Sequence, residues 1–211
     1  MTLFDQAILL LTGLTAIYLV WRLWQEFNSK DPKPRHNIPY MISFVVLLVS
    51  GLLLIFFGWE ILPRPEIIVV TTLLPLGIAV GLVCEFYKEK FGMPYKIVAV
   101  IGLLAIILTR FIPEVPRGLQ IVAIAVTHSI FGLTVFLIPI LAVKAKKAPS
   151  GFIFVTIGEV LIGLGGIALT FLKSEKQLLF FSPEFVMMIL APLLLLMALA
   201  FTWGFMKKMH A

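Results

Sequence analysis

Seven mostly apolar windows, parted by prolines and charges, dominate the sequence: Leu3–Trp24, Pro39–Gly58, Glu66–Phe86, Tyr95–Ile112, Leu119–Val143, Gly151–Leu172 and Glu184–Met206. A hydrocarbon layer about 30 Å thick takes about 20 residues of helix to cross, so the spacing predicts seven transmembrane helices. Lipid supplies no water to satisfy backbone N–H and C=O groups, which leaves helices or a closed barrel. The alternating pattern of a barrel strand is absent, so the expected fold class is an all-α integral membrane protein. Composition points the same way. The chain is 61% hydrophobic and 13% charged, with a mean hydropathy of +1.08, whereas soluble domains run at roughly 45–50% and 25%. A water-soluble globule and a disordered chain are both excluded.

The breaks between windows read as loops, because Asp31-Pro32-Lys33-Pro34, Leu62-Pro63-Arg64-Pro65, Ile112-Pro113-Glu114-Val115-Pro116 and Ala148-Pro149 disfavour helix continuation. None is long enough for a soluble domain, so residues 1–211 are expected to form one polytopic membrane domain. The first window lacks a basic leader and a small-residue cleavage pattern, and it is expected to be a retained helix. The fourth is the weakest, since its uncharged stretch is short and Arg110 must reach back to the interface.

Orientation follows from the basic residues on alternate sides of the spans. Arg22, Lys30, Lys33, Arg35, Lys88, Lys90, Lys96, Lys144, Lys146, Lys147, Lys207 and Lys208 share one side; Arg64, Arg110, Arg117, Lys173 and Lys176 share the other. This bias predicts an outside N-terminus and an inside C-terminus. The net charge of +6 therefore reports membrane topology and anionic headgroups rather than nucleic acid. Aromatic residues at window ends, among them Trp21, Trp24, Tyr40, Trp59, Tyr87, Tyr95 and Trp203, fit interfacial belts. The expected setting is the plasma membrane, of prokaryotic type.

A shift of 117 residues superimposes Leu73, Pro75, Leu76, Leu82 and Lys90 on Leu190, Pro192, Leu193, Leu199 and Lys207, and a shift of 115 pairs Pro34 with Pro149 and Gly51 with Gly166. These pairings suggest a parallel repeat of halves 1–91 and 117–209, with the helix near 95–112 as connector, although leucine-rich helices also produce identities by chance. Such a 3+1+3 plan resembles that of SWEET-type sugar transporters and of microbial rhodopsins. It is an architectural likeness, and the seventh window has no lysine between Glu184 and Met206 to carry a retinal Schiff base.

Glu159 is the most informative side chain, because an ionised carboxylate inside a span costs a few kcal/mol on insertion scales. Helical period places Thr156, Glu159, Gly163, Gly166 and Thr170 on one stripe, suited either to close helix approach or to a narrow polar path. His128 is its expected partner: helix rise puts His128 at roughly 14 Å and Glu159 at roughly 20 Å from the outer helix ends. Thr127 and Ser129 flank the histidine, and Gly132 lies one turn on. Pro75, Pro139 and Pro192 are expected to kink their helices and free carbonyls, whereas Gly77 and Gly81 read as a contact face.

Two functions stand open on these residues. One is a small transporter or channel for an unidentified solute or ion, proton-linked through the Glu159 and His128 pair and lined by Thr127, Thr156, Gly163 and Gly166. The other is a non-catalytic anchor or structural subunit of a larger complex, where Glu159 joins helices. Possible partners are the lipid bilayer, a solute or ion, a second copy, or further subunits; no nucleic acid is expected. An enzyme is the lesser expectation, since HExxH, GxSxG, GxxxxGK[ST] and GxGxxG are all absent. No metal or cofactor is expected: Cys84 is the single cysteine, and of His36, His128 and His210 one lies within a window.

Overall fold

The computed structural model describes residues 1–173 and 183–210, apart from the side chains of 89, 167–173, 183 and 184. Among the described residues it is all helical, with no strands. The helices are α1 (Leu3–Ser29), α2 (Asn37–Phe57), α3 (Pro65–Phe86), α4 (Lys88–Phe111), α5 (Arg117–Lys144), α6 (Phe154–Lys173) and α7 (Pro183–Met209). Short 3-10 turns at Trp59–Ile61 and Ser150–Ile153 lead into α3 and α6. Six helices, all but α6, are long and apolar enough to cross a membrane; around α6 the described apolar stretch is the shorter Ser150–Gly166. The chain is thus a multi-pass helical bundle.

Local chemistry sets the helix ends. Thr2 and Asp5 form a reciprocal capping box at the start of α1, and Asp5 is buried there. Gly58, at φ 72°, ends α2 in the left-handed region that glycine tolerates best. Pro65 opens α3 at a position where its missing N–H is not needed. Pro75, Pro139 and Pro192 lie inside α3, α5 and α7 as expected, and α4 runs back to Lys88 through Pro94, earlier than the sequence window. Thr170, Lys173 and Glu184 as side chains, and Lys176 altogether, lie outside the described residues.

Six helices close a ring in the order α1, α2, α3, α5, α6, α7 and back to α1, while α4 packs on α3 and α5 from outside. Exchanging α1–α2–α3 for α5–α6–α7 leaves this neighbour order unchanged. The ring is filled. Phe44, Phe201, Phe205 and Phe152 interlock edge-on at centroid separations of 5.7–5.9 Å, and Ile78, Leu82, Val135 and Met197 are buried around them. Apolar burial gives little drive inside lipid, so shape fit must hold helices together. Between α2 and α3 that fit depends on glycine: a Cβ on Gly77 would collide with the Ser43 hydroxyl and lie 2.7 Å from the Pro39 carbonyl, and one on Gly81 would enter the Tyr40 ring. The contact reading of these glycines is therefore what the fold contains.

Because a backbone carbonyl cannot swing aside, Gly77→Ala is expected to destabilise the bundle by about 1–3 kcal/mol. Gly118→Ala, where a Cβ meets nothing within 4 Å, should be neutral or slightly stabilising. Reversible unfolding in mixed micelles reads both; equal effects would contradict the packing described.

Candidate functional site

Polar side chains gather at two places. The first is the seam between α5 and α6. Near its basic end the Thr156 hydroxyl donates to the Phe136 carbonyl at 2.8 Å. This bond ties α6 to α5 close to Pro139, which has no N–H to offer the carbonyl four residues before it. One turn further along α6, Glu159 sets Oε1 against Gly132, where a Cβ would come within 2.8 Å. Its Oε2 is buried and has no hydrogen-bond partner among the described residues. Further along the same stripe of α6, Gly163 and Gly166 are exposed, and a Cβ on either would meet nothing within 4 Å among the described residues.

His128 lies on α5 one turn from Gly132, half-buried, with Nδ1 3.1 Å from the Ile124 carbonyl of its own helix. No hydrogen bond or ion pair joins it to Glu159 among the described residues. Thr127 turns the other way, with its hydroxyl 3.5 Å from the Gly102 carbonyl of α4. Thr156 and Glu159 thus meet α5 at Phe136 and Gly132, His128 lies one turn from Gly132, Thr127 makes a different contact, and Gly163 and Gly166 follow on the α6 stripe with no contact to α5 shown. Two apolar-walled grooves mark the flanks, about 180 Å³ between α1 and α2 and about 450 Å³ between α4 and α5. Neither is lined by Glu159 or His128.

The second place, at the basic end of the ring, was not singled out from the sequence. Lys208, one of the basic residues that share this side of the spans, points inward, its side chain 9% exposed. Its Nζ donates to both carboxylate oxygens of Glu85 at 2.7 Å. The Tyr40 hydroxyl donates to Glu85 Oε2 at 2.8 Å. Around the ammonium stand the rings of Tyr40, Phe205 and Phe152, with centroids at 5.1, 5.5 and 5.6 Å. The available signal was Glu85 itself, an acid in the last turn of α3, where the helix dipole disfavours it and a cation must answer it. Next to this cluster, Asn37 Nδ2 donates to Glu26 Oε2 at 2.9 Å and Lys30 pairs with Glu26 at 2.7 Å. Arg22 lies 2.9 Å from His210.

His36, at the junction before α2, sets Nε2 3.4 Å from Glu85 Oε1. Burial pushes its imidazole below the ordinary histidine value; Glu85 and Glu26 pull upward, and Lys208 and Lys30 add to the fall. The ring is therefore neutral at pH 7, and Lys208 is the charge that neutralises Glu85. Among the described residues, no group of three or more His, Cys, Asp or Glu is arranged to hold a metal ion. Compared with protein-family models, curated proteins and solved structures, the chain matches none.

The lowered value of His36 fixes the sign of a pH effect. A folded-state pKa below the unfolded one, about 6.5, means that the unfolded chain takes up the proton first, so this contribution to stability is present at pH 7 and declines as pH falls below that value. In unfolding midpoints measured from pH 7 to pH 5, the wild type should lose more stability than His36→Gln; parallel losses would contradict the assignment. Thr156→Val should cost about 1 kcal/mol by the same unfolding measurement, because it removes the hydroxyl that links α6 to the Phe136 carbonyl.

Proposed function

We propose that the chain is a small membrane carrier or channel for a solute or ion, with Glu159 in the seam between α5 and α6 and His128 near it. The supporting observation is the buried Oε2 of Glu159, which has no hydrogen-bond partner among the described residues, one turn before Gly163, where a Cβ would meet nothing within 4 Å. A carboxyl inside a membrane span faces protein, water or a transported group rather than acyl chains, and this one has an oxygen left to offer. In this reading the N-terminus is outside, the C-terminus is inside, and the membrane is the plasma membrane.

The two halves, 1–91 and 117–209, are read as a parallel repeat, and α4 as the connector between them. The neighbour order of the ring supports this, since it is the same when the halves are exchanged and α4 stands outside it. Carriers built from such repeats move one half against the other. A second reading, a non-catalytic subunit that braces partners, is favoured by the interlocked phenylalanines filling the ring.

Flux of candidate solutes and of protons into proteoliposomes tests the proposal. Glu159→Gln should reduce flux at least tenfold and flatten its pH dependence, and His128→Ala should shift that dependence. Unchanged flux in both variants would remove Glu159 and His128 from the path. Stoichiometric co-purification of another membrane protein, with no flux at all, would favour the bracing role.

A further inference from the structure

We propose that Glu85 and the rings of Tyr40, Phe152 and Phe205 form a binding site for a small organic ammonium cation, and that Lys208 fills it as a tethered surrogate. Carboxylate oxygens on one side of an ammonium and aromatic faces on the others are how proteins recognise such ligands. Here both Glu85 oxygens take the ammonium at 2.7 Å and three rings stand 5.1–5.6 Å from the nitrogen.

The walls of the site do not need Lys208 to hold them in place. Tyr40 is held by its hydrogen bond to Glu85, by an edge contact with Phe205 at 4.6 Å, and by close packing on Gly81, where a Cβ would enter its ring. Phe152 packs edge-on against Phe205. Lys208 is the movable member: it sits one residue before the end of α7, at the tip of a flexible stem. Stability alone is a poor reason for such a pair, because desolvating two charges offsets most of their attraction and apolar residues of similar volume serve as well.

The position suits a passage. The pair spans from α7 to α3, helices on opposite sides of the ring that do not pack broadly against each other, and closes the basic end between the proposed halves. Displacing the lysine with a free ammonium would break this bridge while keeping Glu85 neutralised. The inference deepens the carrier reading by naming a substrate class, but its test reads a side chain and not flux.

The test is acylation of the full-length protein in nanodiscs by an N-hydroxysuccinimidyl ester, read by site-resolved mass spectrometry as the ratio of Lys208 to the exposed Lys96. In the wild type this ratio should be low and should rise several-fold with millimolar trimethylammonium chloride, whose tertiary amine forms no stable amide with the ester, but not with sodium chloride at equal ionic strength. In Glu85→Gln it should be high from the start and indifferent to trimethylammonium. A wild-type ratio unmoved by trimethylammonium, or moved equally by sodium, would overturn the site and leave a fixed ion pair. A rising ratio in a protein that carries no flux would retain the site and reject the carrier.

Discussion

The ion pair between Lys208 and Glu85 is the interaction on which the closure of this bundle depends. It joins α7 to α3 across the ring, and its partners are nearly removed from solvent. A charge in such a place survives only if every lone pair and proton is answered. Here the answers come from Lys208, from the Tyr40 hydroxyl and from three aromatic faces. His36 stays neutral beside them, so the cluster carries one full charge of each sign at its centre. Removing either charge alone leaves the other buried and unmatched, the most costly outcome in a low-dielectric interior.

Elsewhere the bundle is held by shape. Gly77 and Gly81 let α2 and α3 approach until backbone meets side chain, and the phenylalanines of α2, α7 and the turn before α6 fill the space that the ring encloses. The seam between α5 and α6 departs from this economy. Thr156 and Glu159 meet α5 there, and Glu159 keeps a buried oxygen with no hydrogen-bond partner among the described residues. That oxygen is what supports the proposed reading of the seam as a site.

Much of the architecture was legible in the sequence because lipid allows so few solutions. Helix number, order and approximate ends followed from hydropathy, prolines and charge. The contact role of Gly77 and Gly81 followed from small-residue spacing. The ends of α1 and α4 ran past their windows because charged residues such as Glu26, Lys88 and Lys90 continue a helix into the interface without interrupting its hydrogen bonds. Pairing was much less visible. Thr127 and His128 are adjacent in sequence yet address different neighbours, since successive residues on a helix diverge by about 100°. The contact between Glu85 and Lys208 joins residues 123 apart, and neither residue type nor spacing announces which lysine of a basic cluster turns inward.

The most direct measurement of this account is a double-mutant cycle on Glu85→Gln and Lys208→Met, followed by unfolding in mixed micelles. If the buried pair closes the ring, each single variant loses about 3 kcal/mol, and the double variant loses clearly less than their sum, with a coupling of at least about 1 kcal/mol. Losses that add within about 0.5 kcal/mol would show that the two charges do not depend on each other, and the ring would have to be closed by its apolar contacts alone.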